Sequence, residues 1–390
     1  MSFLRTVISS FHSLCAIWYK EIRYMLMDEG MLLFVTLLPL VYPVIYSWIY
    51  NNEVVREVPV VVVDKCRTVS SRNFLRQYDA SPNVRVAFHA TDLDEARRLV
   101  GRQEAYGVVY IPSDFDRRLH RMEQATVSVY CDMSLMLVYK NVYQTAVAVC
   151  SEFGTEIQKS VLALPTARDE ETATAPVVCD EVALYNTTGG YGNFILPGVL
   201  VLILQQTILL GMGITSGTLR EKYGRIVMRD KLYTNVASVV GGKFMAYILL
   251  YAVMSAYVLL VIPRMFGFVS IIHAKEFLFF LVPYLMSCIF FSMSVMSIVR
   301  QREDVLMLVV FTSVVLLFMS GVSWPASNIP VVWEWLSWFF PSTWGIKAYI
   351  AMNSMGARLP DVMPCLNALW LQTVVYALLA VFIYRRELSK

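Results

Sequence analysis

The residues of this chain that could do chemistry are few, and their spacing matches none of the common reactive motifs. The nearest approach to a phosphate-binding loop is Gly241-Gly242-Lys243, which lacks the first glycine of the G-x-x-x-x-G-K-[ST] pattern. The four histidines are His12, His89, His120 and His273. They show no H-E-x-x-H or other metal-ligand spacing, and no G-x-S-x-G elbow is present. The sequence therefore predicts no catalytic, metal-binding or cofactor-binding residues in this chain.

Cysteines are the other reactive side chains, and the chain has seven of them. Four fall in one stretch, residues 51–188: Cys66, Cys131, Cys150 and Cys179. Disulfides among these four would form in an oxidising compartment. Free thiols are the alternative, and no C-x-x-C motif decides between the two.

The elements that would have to position any site are mostly membrane-spanning. The chain has 390 residues, of which 57% are hydrophobic and 16% charged, whereas a soluble domain has about 25% charged residues. Six segments contain no Asp, Glu, Lys or Arg and could cross about 30 Å of hydrocarbon as helices. They are residues 31–50, 187–214, 244–263, 277–299, 305–319, which continues uncharged to Trp333, and 362–384. We expect an α-helical polytopic membrane protein with six transmembrane helices and no ionisable group in the spans, which argues against an ion-coupled transporter.

Charge patterning predicts the orientation of these spans. Basic clusters precede the first span, lie between the second and third and between the fourth and fifth, and follow the sixth. All four then face the cytoplasm, so we expect both termini inside. Of the 30 acidic residues, 19 lie between residues 51 and 188, which predicts a water-facing domain on the outer side. The first apolar run is typical of a retained signal anchor rather than a cleaved signal peptide.

Residues 1–29 predict an amphipathic helix that lies in the cytoplasmic interface of the membrane. Its apolar stripe follows steps of three and four: Leu4, Ile8, Phe11, Cys15, Trp18, Ile22 and Met25. Its charged residues fall elsewhere on the helix: Arg5, His12, Lys20 and Arg23. Packing on a soluble partner is the alternative for this helix.

Residues 51–188 predict an extracytoplasmic α/β domain. Four strand patterns, VPVVVVD, NVRVAFH, YGVVYIP and ATVSVYCD, alternate with helical patterns, the last of which runs from residue 134 to about 162. Two capping pairs, Thr91 with Asp94 and Ser113 with Asp116, are predicted to begin the second and third helices. The polar stretch 165–176 is expected to be a connector.

The basic segment 218–243 is too long for a tight turn, and its charges stand next to apolar residues. These are Ile226, Val227, Met228 and Leu232. The pattern leaves two possibilities. One is a short amphipathic helix that docks on a cytoplasmic motor, and the other is a basic loop that anchors the topology on anionic lipid.

The segment 320–361 breaks its helix and yet stays apolar. It begins SGVSWPASNIP, in which Gly321, Pro325 and Pro330 interrupt a helix. Its tryptophans are typical of a membrane interface. Broken backbone at membrane depth is tolerated where protein or a wet cavity satisfies its polar groups. We therefore expect re-entrant outer helices, with a plain extracellular hairpin as the alternative.

Over nearly its whole length the sequence resembles the type-2 ABC transporter permeases, the six-span subunits of ATP-binding-cassette exporters. The resemblance is strongest to the branch with a large outer domain between the first two spans. The most specific pieces are FILPG, which opens the second span with Leu196, Pro197 and Gly198, and the region after the fifth span. The residues of that region are Gly321, Trp324, Pro325, Pro330, Pro341 and Trp344.

The resemblance implies a permease subunit that is not itself an enzyme. ATP and Mg would be bound by a separate cytoplasmic nucleotide-binding subunit, which a coupling helix beginning at Arg220-Glu221 would contact. The implied contact residues are Arg220, Glu221, Lys222, Gly224, Arg225 and Arg229. A second permease, identical or related, and a periplasmic adaptor are the other implied partners, along with membrane lipids. The implied location is the bacterial cytoplasmic (inner) membrane, and the implied direction of transport is outward.

These patterns divide the chain into four parts: 1–29, 30–50, 51–188 and 189–390, the last with a coupling loop at 218–243 and a re-entrant region at 320–361. The apolar spans favour a hydrophobic or lipid-like substrate. The formal charge of +3 is too small to indicate a nucleic-acid partner. The alternative from another class is a membrane-anchored receptor or scaffold. Its outer domain would sense a ligand, and its basic inner loop would recruit a cytoplasmic partner.

Overall fold

The computed structural model describes residues 2–52, 54–121, 123–162, 184–187, 189–227, 233 and 235–389. The chain divides into two compact units. The helical unit comprises Met1–Glu53 and Ala183–Lys390, and the α/β unit comprises Val54–Val182. The predicted connector at 165–176 lies outside the described residues.

Two helices begin the helical unit, α1 (Ser2–Met27) and α2 (Glu29–Ile49). They are separated by Asp28, whose carboxylate accepts a hydrogen bond from the Met31 N–H at 3.0 Å and so caps α2. Residues Leu32–Leu37 of α2 form a π-helical stretch directly before Pro39. Proline has no N–H to donate to the carbonyl four residues earlier. The wider π-helical turn accommodates Pro39, so the helix continues through it.

The α/β unit contains a four-stranded sheet made of β1 (Val58–Asp64), β2 (Val84–His89), β3 (Gly107–Ile111) and β4 (Ser128–Cys131). The order is β2-β1-β3-β4, with β1 parallel to β2 and β3, and with β4 antiparallel to β3. A helix follows each strand: α3 (Val69–Asp79), α4 (Leu93–Gly101), α5 (Phe115–His120) and α6 (Met136–Leu162). The predicted alternation of four strands and four helices is confirmed.

Alternate residues of β1 belong to two separate cores, because successive side chains of a strand point to opposite faces. Val60 and Val62 pack with residues of α3, α5 and α6. Val61 and Val63 pack with Ala96 of α4 and its neighbours. Burial on both faces explains why the strand is a continuous run of valines rather than an alternating pattern.

The two predicted capping pairs of this unit are wrong. Asp92 caps α4, and its carboxylate accepts a hydrogen bond from the Glu95 N–H at 2.7 Å. The Glu95 side chain accepts in return from the Thr91 N–H at 2.8 Å. This register, one residue later than predicted, packs Leu93 and Ala96 into the core beside β1. α5 begins after Asp114 with no side-chain cap.

The sequence leaves open whether the cysteines of this unit form disulfides or remain free thiols. Cys66, Cys131 and Cys150 are free thiols, and Cys150 is exposed. Cys179 lies outside the described residues.

Among its described residues, the rest of the helical unit has five long helices and two short α-helices. The long helices are α7 (Tyr191–Tyr223), α8 (Val236–Met265), α9 (Ala274–Val295), α10 (Arg302–Met319) and α13 (Leu359–Leu388). The short helices are α11 (Val331–Ser337) and α12 (Pro341–Ser354). Within the described part of the chain, α2, α7, α8, α9 and α13 are long and apolar enough to cross a membrane. α10, the predicted fifth span, is 18 residues long and has three charged residues in its first turn.

α7 lies at the centre of the helical unit. It is 33 residues long, or about 50 Å, and its side chains from Ile195 to Leu219 are buried. α9, α10 and α12 pack around it. A Cβ atom on Gly213 would lie 2.4 Å from Cγ1 of Val305 in α10, so the glycine permits the close approach of these two helices.

α1 packs along α8 through a face that only partly overlaps the predicted apolar stripe, of which Met25 is buried in the core. Phe11, which belongs to the predicted stripe, is 67% exposed, whereas Ile17 is buried. A Cβ atom on Gly242 of α8 would lie 2.8 Å from Cγ2 of Ile17. The same contact buries an ion pair, because Lys243 Nζ lies 2.7 Å from Glu21 Oε1 and both side chains are less than 10% exposed. The apolar pattern predicts that the third span begins at residue 244, but α8 already includes Lys243.

Candidate functional site

Three helices of the helical unit enclose a groove of about 270 Å³. We call it the α2–α7–α10 groove. It is lined by Leu38, Tyr42 and Tyr46 of α2, by Val199, Leu202, Ile203, Gln206, Thr207 and Leu210 of α7, and by Val309, Ser313, Val314 and Leu317 of α10. Most of these side chains are apolar, and five of them carry a polar group: Tyr42, Tyr46, Gln206, Thr207 and Ser313.

Gln206 is the most informative residue of this groove. Its side chain is buried, and neither its amide nitrogen nor its amide oxygen has a hydrogen-bond partner among the described residues. An unsatisfied buried amide costs about 1–3 kcal/mol. Buried polar groups within spans are costly and mark pathways or binding sites. The amide can both donate and accept a hydrogen bond, so it could hold an uncharged polar group inside an apolar groove.

A line of aromatic rings leads from this groove to the end of α2. The ring centroids of Tyr42 and Tyr46 are 4.9 Å apart, and those of Tyr46 and Tyr50 are 5.8 Å apart. Tyr191, at the first residue of α7, continues the line at 5.5 Å from Tyr50, and Phe194 follows at 6.1 Å. These centroid separations are typical of rings in favourable contact. The groove is therefore continuous with an aromatic path towards the start of α7.

The neighbouring Gln205 has a different, structural role. Its Oε1 atom accepts a hydrogen bond from the Ser342 N–H at the start of α12, at 2.6 Å. At the other end of α12, Asn353 Nδ2 donates to the Val269 carbonyl at 3.1 Å, and the Val269 N–H donates to Asn193 at 2.8 Å. Gln205 lies about 18 Å from Asn193 along α7. α12 therefore begins beside the middle of α7 and ends near its first turn.

Side chains of α13 donate hydrogen bonds to two backbone carbonyls in the turn between α11 and α12. Gln372 Nε2 donates to the Trp338 carbonyl at 2.6 Å, and the Tyr376 hydroxyl donates to the Phe339 carbonyl. Gln372 also accepts from the Ser287 hydroxyl of α9 at 3.1 Å. This arrangement meets the requirement that broken backbone within a membrane be buried against protein.

The motif residues of the second span and of the region after α10 meet in the structure. A Cβ atom on Gly198 would lie 2.8 Å from Cγ2 of Val322 and 3.4 Å from Cγ2 of Ile346 in α12. Leu196 and Pro197 are buried beside it. Gly321 has a φ of +86°, a conformation that favours glycine, and it directly precedes Val322.

The other residues predicted for this region take distinct positions. Pro330 occupies the position directly before α11, and Pro341 is the first residue of α12. Pro325 precedes a 3-10 turn, Ala326–Asn328. Trp324 is 54% exposed, whereas Trp344 is half-buried and stacks under the Lys347 ammonium, which lies 5.4 Å from its ring centroid. Gly198, Gly321 and Pro341 therefore shape the contact with α7, while Trp324 does not take part in it.

Two of the residues predicted to contact an ATPase also make contacts inside the helical unit. Arg220 Nη1 donates to the carbonyls of Ser297 and Val299 at 3.0 and 2.6 Å, and Arg220 Nη2 lies 3.9 Å from Glu387. Glu221 accepts a hydrogen bond from the Arg302 N–H at 2.8 Å. Both residues hold the last turn of α7 to its neighbours.

The remaining predicted contact residues differ in exposure. Lys222 is exposed at the end of α7, and Gly224 ends that helix in the left-handed conformation, with a φ of +68°. Arg225 is half-buried, and Arg229 lies outside the described residues. Ile226 and Val227 are buried in the main core, so they do not form an exposed apolar face for docking. Met228 and Leu232 also lie outside the described residues.

The polar side chains of the groove carry no charge, so the absence of ionisable residues from the predicted spans did not indicate it. The signal was present as Gln205-Gln206-Thr207, a polar triplet in the middle of an otherwise apolar run. The described residues include no group of three or more His, Cys, Asp or Glu side chains placed to hold a metal ion.

The helical unit defines a polytopic helical membrane protein, with several helices able to span a membrane and a largely apolar groove between three helices. A family model described as "ABC-2 family transporter protein" matches residues 30–382, and the chain belongs to this family. The resemblance inferred from the motifs is thus confirmed. Membership implies the membrane subunit of an ABC transporter, which works with a separate ATP-binding subunit, and it does not favour the receptor or scaffold alternative. A comparison with curated proteins gives no match.

Proposed function

We propose that this protein is the permease subunit of an ATP-binding-cassette exporter. It moves a hydrophobic or lipid-like substrate outward along the α2–α7–α10 groove. The observation that carries the proposal is the buried Gln206 amide, which faces an apolar groove without a hydrogen-bond partner among the described residues. A substrate that supplies one polar group to this amide and apolar surface to the walls would satisfy both parts of the groove.

The groove favours an amphiphile that is apolar over most of its length. The described residues that line it carry no formal charge, so a multiply charged substrate would lose its hydration without gaining a counter-charge. The Tyr42–Tyr46–Tyr50 series supplies flat apolar surface and hydroxyl groups beyond Gln206. A molecule that leaves the groove would therefore meet aromatic contacts on its way towards the start of α7.

The proposed arrangement in the membrane has six spans, with α10 as the fifth. α11 and α12 form the re-entrant region at the outer leaflet, the α/β unit is extracytoplasmic, and both termini are in the cytoplasm of a bacterial cell with the chain in its inner membrane. This assignment is supported by the basic residues that flank the spans. It is also supported by the short α12, which at 14 residues, or about 21 Å, cannot cross the hydrocarbon.

The proposed complex contains two permeases, identical or related, and two ATP-binding subunits on the cytoplasmic side. A second permease would close the open side of the groove. ATP binding would favour one permease conformation only if the ATP-binding subunits bind that conformation more tightly. A periplasmic adaptor would meet the α/β unit if export continues across the cell envelope.

The test is transport by purified complex in liposomes. The permease is purified with the ATP-binding subunit that copurifies with it, and ATP-dependent movement of fluorescent phospholipid analogues and neutral hydrophobic dyes is measured. Replacing Gln206→Leu should reduce transport on the order of tenfold. The same change should leave the melting temperature unchanged or raise it, because it removes an unsatisfied amide.

Gln205→Leu is the matched control. It removes the acceptor for the Ser342 N–H, so it should lower the melting temperature. If Gln206→Leu transports all the probes at the natural rate, the groove is not the pathway.

A further inference from the structure

A second cavity lies wholly within the α/β unit. Its volume is about 380 Å³, in the range of pockets that hold small organic ligands. Its walls come from α3, α5, α6 and the chain that precedes β4. Nothing in the proposed transport pathway uses this cavity, so it requires its own explanation.

Three phenylalanine rings from three helices form one side of the cavity. Phe74 and Phe153 meet edge to face with centroids 5.6 Å apart, and Phe115 lies 6.3 Å from Phe74 and 6.4 Å from Phe153. Phe74 and Phe115 are 1% and 3% exposed, so the core fixes their positions. The aromatic surface that the cavity offers a flat ligand is therefore the partly exposed Phe153 ring, which Phe74 and Phe115 hold in place.

Gly154 of α6 keeps the cavity open. A glycine within a helix costs about 1 kcal/mol relative to alanine, and that cost is usually offset by a close packing contact. At Gly154 there is none, because a Cβ atom built there would meet no atom within 4 Å. Phe153, Gly154 and Ile157 all line the cavity. A side chain at position 154 would extend into the space that a ligand would fill.

The rim of the cavity is polar and carries a negative charge. Glu123 is the one charged side chain among the described residues that line the cavity. Gln124 and Gln158 add two polar side chains to the rim. The nearby Arg118 is engaged, since its Nε atom lies 2.6 Å from the Asp114 carboxylate. A ligand with a positive charge would be attracted by the Glu123 carboxylate and by the faces of the aromatic rings.

We infer that this cavity, the α/β-unit pocket, binds a small aromatic cation, with its rings against Phe153, which Phe74 and Phe115 support, and its charge near Glu123. The inference concerns binding alone and does not depend on the transport proposal. It gives the α/β unit a ligand-binding function of its own.

The experiment titrates ethidium, a flat aromatic cation, into the full-length protein in lipid nanodiscs and follows its fluorescence. N-phenyl-1-naphthylamine, a neutral aromatic probe, is titrated in parallel. We expect saturable ethidium binding that Gly154→Leu weakens at least tenfold, because the new side chain occupies the pocket. Glu123→Gln should weaken ethidium binding by about tenfold and change binding of the neutral probe less than twofold.

Two variants are controls for these effects. Gly101→Leu places the same side chain at the other glycine of this unit whose Cβ would meet no atom, at the end of α4 and outside the pocket. It should leave ethidium binding unchanged. Gln206→Leu should also leave it unchanged, which separates the pocket from the α2–α7–α10 groove.

A measurement on the natural protein decides the question even if a variant fails to fold. Cys150 lines the pocket and its thiol is free and exposed. Saturating ethidium should slow maleimide alkylation of Cys150 on the order of tenfold, as read by mass spectrometry of the peptide that contains it. The inference is overturned if ethidium does not bind saturably, if a folded Gly154→Leu variant binds it equally well, or if Cys150 reacts at the same rate with and without it.

Discussion

The guanidinium group of Arg302 lies 2.9 Å from the Asp28 carboxylate and occupies the space beside Gly30, where a Cβ atom would lie 1.9 Å from Arg302 Nη2. The backbone of Arg302 is equally confined. Its N–H donates to Glu221 at 2.8 Å, and its nitrogen would lie 2.9 Å from a Cβ atom on Gly217. Arg302 therefore joins the start of α2, the last turns of α7 and the start of α10, and two glycines leave the room for it.

The first prediction concerns Gly30. Gly30→Ala should displace the Arg302 guanidinium from Asp28, because the methyl group and Nη2 cannot occupy the same space. The pair is partly exposed, so we expect a loss of about 1 kcal/mol in the free energy of unfolding in detergent. In an Asp28→Asn background, the same substitution should cost much less. Equal costs in the two backgrounds would show that Gly30 does not act through this ion pair.

The second prediction is the pH dependence of the same contact. Burial raises the pKa of the Asp28 carboxyl, but the Met31 N–H bond and the Arg302 charge outweigh this effect and lower the pKa overall. A lowered pKa in the folded state means that the stabilisation is complete above the unfolded value of about 3.9 and is lost as the pH falls through the folded value. The melting temperatures of the natural protein and Asp28→Asn should therefore differ by a constant amount between pH 5 and 8. They should converge only below about pH 4. Convergence at a higher pH would contradict the lowered pKa.

The third prediction tests the buried ion pair between α1 and α8. Glu21→Gln leaves the Lys243 ammonium buried without its counter-charge, which should cost about 3–5 kcal/mol. The double substitution Glu21→Leu with Lys243→Met should recover most of this loss, since it removes both charges at similar volume. Chemical unfolding of the three proteins in detergent measures and compares their free energies of unfolding. If Glu21→Gln costs less than about 1 kcal/mol, the pair is better solvated than its burial indicates.

These contacts show which parts of the fold local sequence patterns can predict. β1 is a run of valines ending in Asp64, and its predicted and observed bounds coincide. The long helices were located by their lack of charge, but their ends were not. α7 continues to Tyr223 through charged residues, because a helix can extend beyond the apolar stretch that suits a bilayer. Pairings between distant residues, such as Glu21 with Lys243, leave no local pattern.

The candidate site was less predictable than the fold for the same reason. Gly198 and Gly321 belong to motifs that the sequence indicated separately, and only the packing of Val322 against Gly198 connects them. Gln206 is polar but carries no charge, so it is not among the ionisable residues that indicate a functional site within a span. Whether its amide has a partner depends on the residues of α2 and α10 that surround it. The resemblance to ABC permeases implies an ATPase contact for Arg220, and no local pattern indicates its hydrogen bonds to the Ser297 and Val299 carbonyls.

The fourth prediction separates structural from docking roles at the end of α7. Arg220→Glu should lower the melting temperature, because the charge reversal faces the Ser297 and Val299 carbonyls and Glu387. Lys222→Glu changes an exposed residue, so the melting temperature should stay the same while copurification of the ATP-binding subunit falls several-fold. Arg386→Glu, an exposed charge reversal on α13, is the matched control and should affect neither quantity. If the Lys222→Glu variant copurifies the ATP-binding subunit as well as the natural protein does, the end of α7 is not part of the docking surface.

The fifth prediction tests the proposed orientation with two single-cysteine proteins. One retains only Cys150, which is exposed on the α/β unit, and the other carries only Lys222→Cys at the end of α7. If the α/β unit is extracytoplasmic and the basic end of α7 faces the cytoplasm, a membrane-impermeant maleimide should label Cys150 on intact spheroplasts and leave the cysteine at position 222 unlabelled. After permeabilisation, both should react. Because the two sites are compared with one reagent, equal labelling on intact spheroplasts would place them on the same face and refute the six-span arrangement.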